Sequence, residues 1–200
     1  MQSIENKILK RIKSKPRGTI LIPNDFSQFG SSEAIRITLH RLSKKGEIQR
    51  IGHGIYARPQ ISKFLGEILP GAEEIAKAIA KRDMIKIIPT GVTALNALGL
   101  STQVPMNLVY LTDGAPRKIT IGKQSIKLKK TTPKNLLAKG RFSGLVIQAL
   151  REIGQHEITE SEKFKIIEIL KQEDKKKLKH DIQLAPIWIR KIMLKAVSNE

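Results

Sequence analysis

Residues 31–58 read SSEAIRITLHRLSKKGEIQRIGHGIYAR, and the order of residue types in this stretch decides how the first third of the chain is read. Ser31 or Ser32 stands where a helix N-cap belongs, and Glu33 puts a carboxylate at the positive end of the helix dipole. Ile35, Leu39 and Leu42 recur at i, i+4 and i+7, with Ala34 and Thr38 flanking them, so one face is core. The opposite face carries Arg36, Ile37, His40, Arg41, Lys44 and Lys45, and Gly46 closes the helix at the C′ position. Next, EIQRI and IYARP flank GHG. A tight turn centred on His53 and Gly54 predicts a β-hairpin that pairs Ile51 with Tyr56, with the Tyr56 ring packed beneath it. Arg50 and Arg58 lie along that hairpin, and His53 sits at its tip. Just upstream, DFSQF predicts a short helix capped by Asn24 and ended by Gly30, with Phe26 and Phe29 on one side. A short helix, a glycine turn, a basic helix and a hairpin, in that order, predict a winged helix-turn-helix. Ser31, Ser32, Arg36, His40, Arg41, Lys44, Lys45, Arg50, His53 and Arg58 are its candidate DNA contacts.

Outward from this stretch the pattern changes. Ile4, Ile8 and Ile12 predict a first helix capped by Ser3 and stopped by Pro16 and Gly18, and TILIP is a brief strand. KFLGEILPG is a connection holding a turn of helix. The following region alternates element types: a helix at 72–82, a strand IKIIP, a short helix GVTALNALGL, a strand NLVYLTD and a hairpin RKITIGKQSIKLKK. A turn at Gly122 and Lys123 would pair Ile119 with Ile126 and Lys118 with Lys127. Arg117, Lys118, Lys127 and Lys129 then form a candidate anion-binding surface. Helical patterns follow at 142–153 and 160–172, then the run KQEDKKKLKH, read as a solvated link, and a final helix with Trp188, read as core or as a contact with a partner chain. The whole is α+β, divided as a winged helix at 1–60, a small α+β domain at 61–150 and a helical tail at 151–200.

Charge narrows the partners. The 200 residues carry 37 Lys and Arg against 18 Asp and Glu, a formal net charge of +19. The surplus is +8 over residues 1–60, +9 over 61–150 and only +2 over 151–200. A positive field of this size, concentrated in three quarters of the chain, favours nucleic acid as partner. A membrane surface is disfavoured by 4% aromatics and the lack of a lipidation motif. No cysteine is present, no apolar run is long enough to span a bilayer, and no signal peptide is read at the start, so a cytoplasmic location is expected.

Other features read more simply as structure. His40, His53, His156 and His180 are scattered without metal-ligand spacing, so no metal and no cofactor is expected. Gly91 opens a helix without the glycine pair and lysine of a phosphate loop. No paired carboxylates and no activated nucleophile stand out, so no enzymatic activity is expected.

The segments TLHRLSKKGEIQRIGHGIYARP and IPTGVTALNALGLSTQVPMNLVYLTDGAPRKITIG resemble the N-terminal and antitoxin domains of AbiE-type antitoxins, over roughly residues 1–135. The resemblance implies a DNA-binding regulator of its own operon, binding double-stranded DNA at its own promoter. It also implies an antitoxin in a type IV toxin–antitoxin, abortive-infection system. Such a protein antagonises a nucleotidyltransferase-like toxin without a stable complex. Read from the residues alone, the alternative is a non-enzymatic RNA-binding factor using the basic hairpin at 117–130. The oligomeric state is left open.

Overall fold

Ser3 accepts a hydrogen bond from the Asn6 N–H at 3.2 Å and so caps α1 (Ile4–Lys13), whose Ile8 and Ile12 are buried. The structure is a computed structural model that describes residues 3–64, 66–121 and 124–198. The chain divides into two compact units, Met1–Met84 with Ile119–Gly122, and Ile85–Lys118 with Lys123–Glu200.

In the first unit, α1 is followed by β1 (Ile20–Leu21), a 3₁₀ helix at Pro23–Phe29 and α2 (Ser32–Lys44). The 3₁₀ helix starts two residues earlier than expected, with Ile22 rather than Asn24 at its N-cap: the Asp25 carboxylate accepts from the Ile22 N–H at 3.1 Å. Ile35, Leu39 and Leu42 of α2 join Ile8, Phe26 and Tyr56 in one apolar core. Gly46, with φ of +74°, makes the left-handed turn that ends α2 at low cost. The strands β2 (Gln49–Gly52) and β3 (Ile55–Ala57) form the expected hairpin, and β3 also pairs with β1, giving the order β1-β3-β2.

The hairpin register differs from the expected one. Arg50, not Ile51, lies opposite Tyr56, and Gly52 lies opposite Ile55, with a bulge between Arg50 and Gly52. Ile51 is the extra residue, and the bulge keeps Tyr56 in the core while leaving Arg50 exposed.

Residues 59–71 hold strands rather than a turn of helix: β4 (Gln60–Ser62) pairs antiparallel with β5 (Gly66–Ile68). Then α3 (Ala72–Asp83) buries Ala72, Ile75, Ala76 and Ile79. Lys81 of α3 pairs with Asp25 at 2.8 Å. These contacts put the first boundary at residue 84 instead of 60.

From residue 85 the chain forms β6 (Ile87–Pro89), α4 (Val92–Ala97), β7 (Asn107–Thr112), β8 (Arg117–Ile121) and β9 (Gln124–Lys130). The sheet of these strands runs β6-β7-β9-β8, with β6 antiparallel and β9 parallel to β7. Leu108 lies beside Ile126 and Tyr110 beside Leu128, making one buried face. The turn expected at Gly122 and Lys123 lies outside the described residues. After a 3₁₀ turn at Pro133–Leu136 come α5 (Ser143–Ile153), α6 (Glu160–Lys171), α7 (Lys175–Ile182) and α8 (Ile187–Leu194).

Residues 151–200 are no separate tail. Ile166, Leu170, Leu178, Ile182 and Ile189 share one core with Ala94, Val146 and Leu150, because α6 to α8 bury apolar faces that α5 alone would leave exposed. The run read as a solvated link is helix α7: Asp174 caps it through the Lys177 N–H at 2.9 Å, and Leu178 and Ile182, one turn apart, are buried. Trp188 is half-buried against the same core. The molecule is therefore α+β, and among the described residues no helix is long and apolar enough to cross a membrane.

Candidate nucleic-acid interface

The capping serine of α2 is Ser31, whose Oγ accepts from the Ala34 N–H at 3.3 Å. Ser32 is the exposed first residue of the helix. With the apolar stripe turned inward, the 3.6-residue repeat directs Arg36, His40, Arg41 and Lys44 outward, and all four are exposed. Ile37 is 46% exposed among them, the largest apolar group on that face.

Four of the ten expected contacts line one concavity. Arg36 and His40 of α2 and Arg50 and His53 of the hairpin border a cleft of about 470 Å³, together with Pro23, Asn24, Tyr56, Arg82 and Asp83. The two guanidinium groups, Arg36 and Arg50, in a partly walled space raise the local positive potential above that of the same charges spread on a flat surface.

The remaining six are placed differently. Ser31 serves the helix cap. Ser32, Arg41 and Lys44 are exposed but do not line the cleft. Lys45 pairs with Glu5 of α1, which draws its ammonium group toward the first helix. Arg58 is half-buried, and its guanidinium donates to the carbonyl oxygen of Lys15. Its backbone N–H donates to Thr19 O at 2.9 Å, and its carbonyl accepts from the Gly18 N–H at 2.9 Å. Arg58 is therefore spent on holding the end of β3 to the segment after α1.

Arg82 and Asp83 were not foreseen as site residues: the sequence gives only a helix at 72–82, and the observed helix ends at Asp83. Nε and Nη2 of Arg82 donate to the Asp83 carboxylate at 2.7 and 3.0 Å, and Nη1 donates to the carbonyl oxygen of His53.

On the second unit, Lys118, Lys127 and Lys129 are exposed and Arg117 is half-buried. Lys127 and Lys129 lie opposite Val109 and Leu111 of β7, on the face away from the buried Ile126 and Leu128.

Gly91, with φ of +61°, opens α4, and a Cβ built on it would lie 3.4 Å from the Glu152 carboxylate. The Glu152 carboxylate thus lies beside the start of this helix. Among the described residues no group of three or more His, Asp or Glu could hold a metal ion.

The sequence hid one buried charge. Asp181 is fully buried and accepts from the Lys139 N–H at 2.9 and 3.0 Å, from the Gly140 N–H at 2.7 Å, from Ser143 Oγ and from His180 Nδ1 at 2.7 Å. Glu173 accepts from the Phe142 N–H at 2.6 Å and the Ser143 N–H at 3.3 Å. Two carboxylates thus hold the loop that leads into α5. A Cβ on Gly140 would lie 2.2 Å from Ser143 Oγ and 2.5 Å from Glu173 Oε2, so only glycine fits there. Burial alone would raise the Asp181 pKa, but the bonds from Ser143, His180 and the two backbone N–H groups outweigh it and hold the carboxyl below its ordinary value. Ser, Asp and His meet here with the carboxylate in the middle. The imidazole does not bridge to the hydroxyl, so this is not the relay that activates a serine.

Against this geometry the comparisons add a family. A model described as "Family of unknown function (DUF6088)" matches residues 7–178. The chain belongs to the DUF6088 family. No curated protein matches it. The crystal structure of the RV2827C protein from Mycobacterium tuberculosis matches at 12% identity and a TM-score of 0.43, covering 96% of this chain and 81% of that one. A likeness at that level brings no function to this DUF6088 chain.

Proposed function

We propose that the first unit is a winged helix-turn-helix that binds double-stranded DNA, and that the protein regulates transcription of its own operon from the cytoplasm. The observation that carries this reading is the cleft, in which Arg36 and His40 of α2 and Arg50 and His53 of the β2–β3 hairpin converge. Support also comes from the element order, helix, strand, short helix, helix and hairpin, with β3 in the centre of the three-stranded sheet. In this reading Arg36 and His40 address base edges, while Lys44 and Arg50 hold phosphates. The antitoxin activity, antagonism of a nucleotidyltransferase-like toxin without a stable complex, is part of the proposal on the strength of the sequence resemblance. Neither an enzymatic step nor a cofactor is part of it.

Fluorescence anisotropy with a duplex from the protein's own promoter region against a scrambled duplex tests the reading. The promoter duplex should bind more tightly, and Arg36→Ala should abolish the difference. Equal affinity of the wild type for both duplexes would refute sequence-specific regulation.

A second reading is favoured by the exposed Lys118, Lys127 and Lys129 on β8 and β9: an RNA-binding factor that tracks a phosphate backbone. Replacing all three with Glu separates the two. Loss of RNA binding with promoter binding intact would assign these lysines to RNA. Retained RNA binding would remove them from it.

A further inference from the structure

We propose that Arg82 is a positioning residue for the hairpin tip, so that the DNA-binding unit reaches from α2 and the hairpin to the last turn of α3. The proposal rests on the DNA-binding reading of the cleft, but its geometry stands apart from it. The tip is a two-residue turn, His53–Gly54, beyond a bulge, and it projects past β1, which pairs with β3 only at Tyr56 and Ala57, so the third strand does not fix its direction.

Arg82 supplies that tie. Its guanidinium donates from Nη1 to the carbonyl oxygen of His53, and a Cβ built on Gly54 would lie 3.6 Å from the same Nη1. The group therefore lies against the turn at a place where no side chain intervenes. The other edge of the guanidinium forks onto Asp83 at 2.7 and 3.0 Å, which fixes its plane. Only 21% of the Arg82 side chain is exposed. The helix beneath is itself anchored, by buried Ile75 and Ile79 and by the Lys81–Asp25 pair at 2.8 Å. A rigid path thus runs from the α3 core to the carbonyl at the tip, and it keeps Arg50 and His53 facing Arg36 and His40 across the cleft.

Three consequences separate a tie from a contact. Holding the tip in its binding conformation lowers the ordering cost of association without adding a phosphate contact. Lysine keeps the charge but cannot make the fork and the carbonyl bond together. Removing Arg82 also takes one positive charge from beside the Asp83 carboxylate, which lines the same cleft and repels phosphate.

The test uses the full chain and four forms: wild type, Arg82→Ala, Arg82→Lys and Arg82→Ala with Asp83→Ala. Hydrogen exchange of the peptide spanning residues 50–57, measured without DNA, should rise about tenfold or more in all three variants, the scale of one lost charge-assisted hydrogen bond, while α2 exchanges as before. Promoter-duplex affinity should fall about tenfold in Arg82→Ala with the salt slope unchanged, and the double variant should recover part of that loss. Unchanged exchange at 50–57 in folded Arg82→Ala would overturn the proposal. Full restoration by Arg82→Lys, or a salt slope reduced by about one, would overturn it too, since Arg82 would then be a charge or a phosphate contact. If Arg82→Ala fails to melt cooperatively, Arg82→Lys decides by the same exchange measurement. A wild type that binds no duplex would sink the DNA reading, while the exchange experiment would still decide the tie.

Discussion

Two basic helices, α2 and α7, show how little a basic run says until its buried side is known. The inward face of α2 is Ile35, Leu39, Leu42 and Thr38, which only pack, and its outward cations meet those of a hairpin across a cleft. The inward face of α7 is Leu178, Ile182 and Asp181, and the carboxylate does the work by gripping the backbone that enters α5. The lysines of α7 at 175, 176, 177 and 179 are exposed. One helix turns charge toward an open cleft; the other turns a carboxylate into the fold. The difference lies in whether the buried side needs anything beyond van der Waals contact.

The largest expected effect breaks α7. Asp181→Ala strands the Lys139 and Gly140 N–H groups, Ser143 Oγ and His180 without their acceptor, and should cost about 3 kcal/mol or more in urea unfolding. A loss below about 1 kcal/mol would mean that solvent or another group satisfies the loop. The same carboxylate sets an acid limit. Its folded pKa lies below the unfolded value, about 3.9, so the stability it contributes is fully present above that value and drains as pH falls through the folded pKa. Asp181→Asn should flatten the fall in stability below about pH 4, and an acid limb identical to wild type would assign the acid transition elsewhere.

The matching change in α2 should leave the fold alone. Arg36→Ala is expected to move stability by no more than about 0.5 kcal/mol, yet to remove roughly 1–3 kcal/mol of discrimination between promoter and scrambled duplex. An even loss of affinity for both duplexes would recast Arg36 as a phosphate contact. Smaller still, Lys44→Ala and Arg50→Ala should each lower the salt slope of duplex binding by about one. Lys45→Ala, whose ammonium group is drawn to Glu5, is expected to leave that slope unaltered and to cost about 0.5 kcal/mol or less. A slope change at Lys45 equal to that at Lys44 would place both lysines on the same duplex.

What was legible in the sequence was local. The Ser3 and Ser31 caps, the Gly46 stop and the stripe of Ile35, Leu39 and Leu42 are all set by neighbours within a turn or two, and each stands where its residues put it. The tight turn at His53 and Gly54 was legible for the same reason, but the bulge at Ile51 was not, because it arises from keeping Tyr56 in a core built largely by other segments. The parallel pairing of β7 with β9 and the attachment of α3 to the first unit depend on residues far apart in the chain, which local periodicity does not report. Arg82 was hidden because a charged last turn is the ordinary end of an exposed helix. Asp181 was hidden among lysines, although Asp174 as a cap and Leu178 and Ile182 one turn apart were signals of a packed helix. Of the candidate site, the outward placement of Arg36 and His40 on α2 and of His53 at the hairpin tip was legible, and the contacts that a distant partner sets, at Lys45 and Arg58 among others, were not.

Strand β9 carries one more consequence, for how the second unit reaches its structure. Ile126 and Leu128 are buried while Lys127 and Lys129 are exposed, and they lie in parallel register with Leu108 and Tyr110, and with Val109 and Leu111. A slip by one residue during folding would turn two lysines into the apolar face and two large aliphatic groups into water. Such a mispaired sheet would be strongly disfavoured at once, without a deep trap to hold it. The same alternating lysines that give this face its charge therefore also proofread the assembly of the sheet.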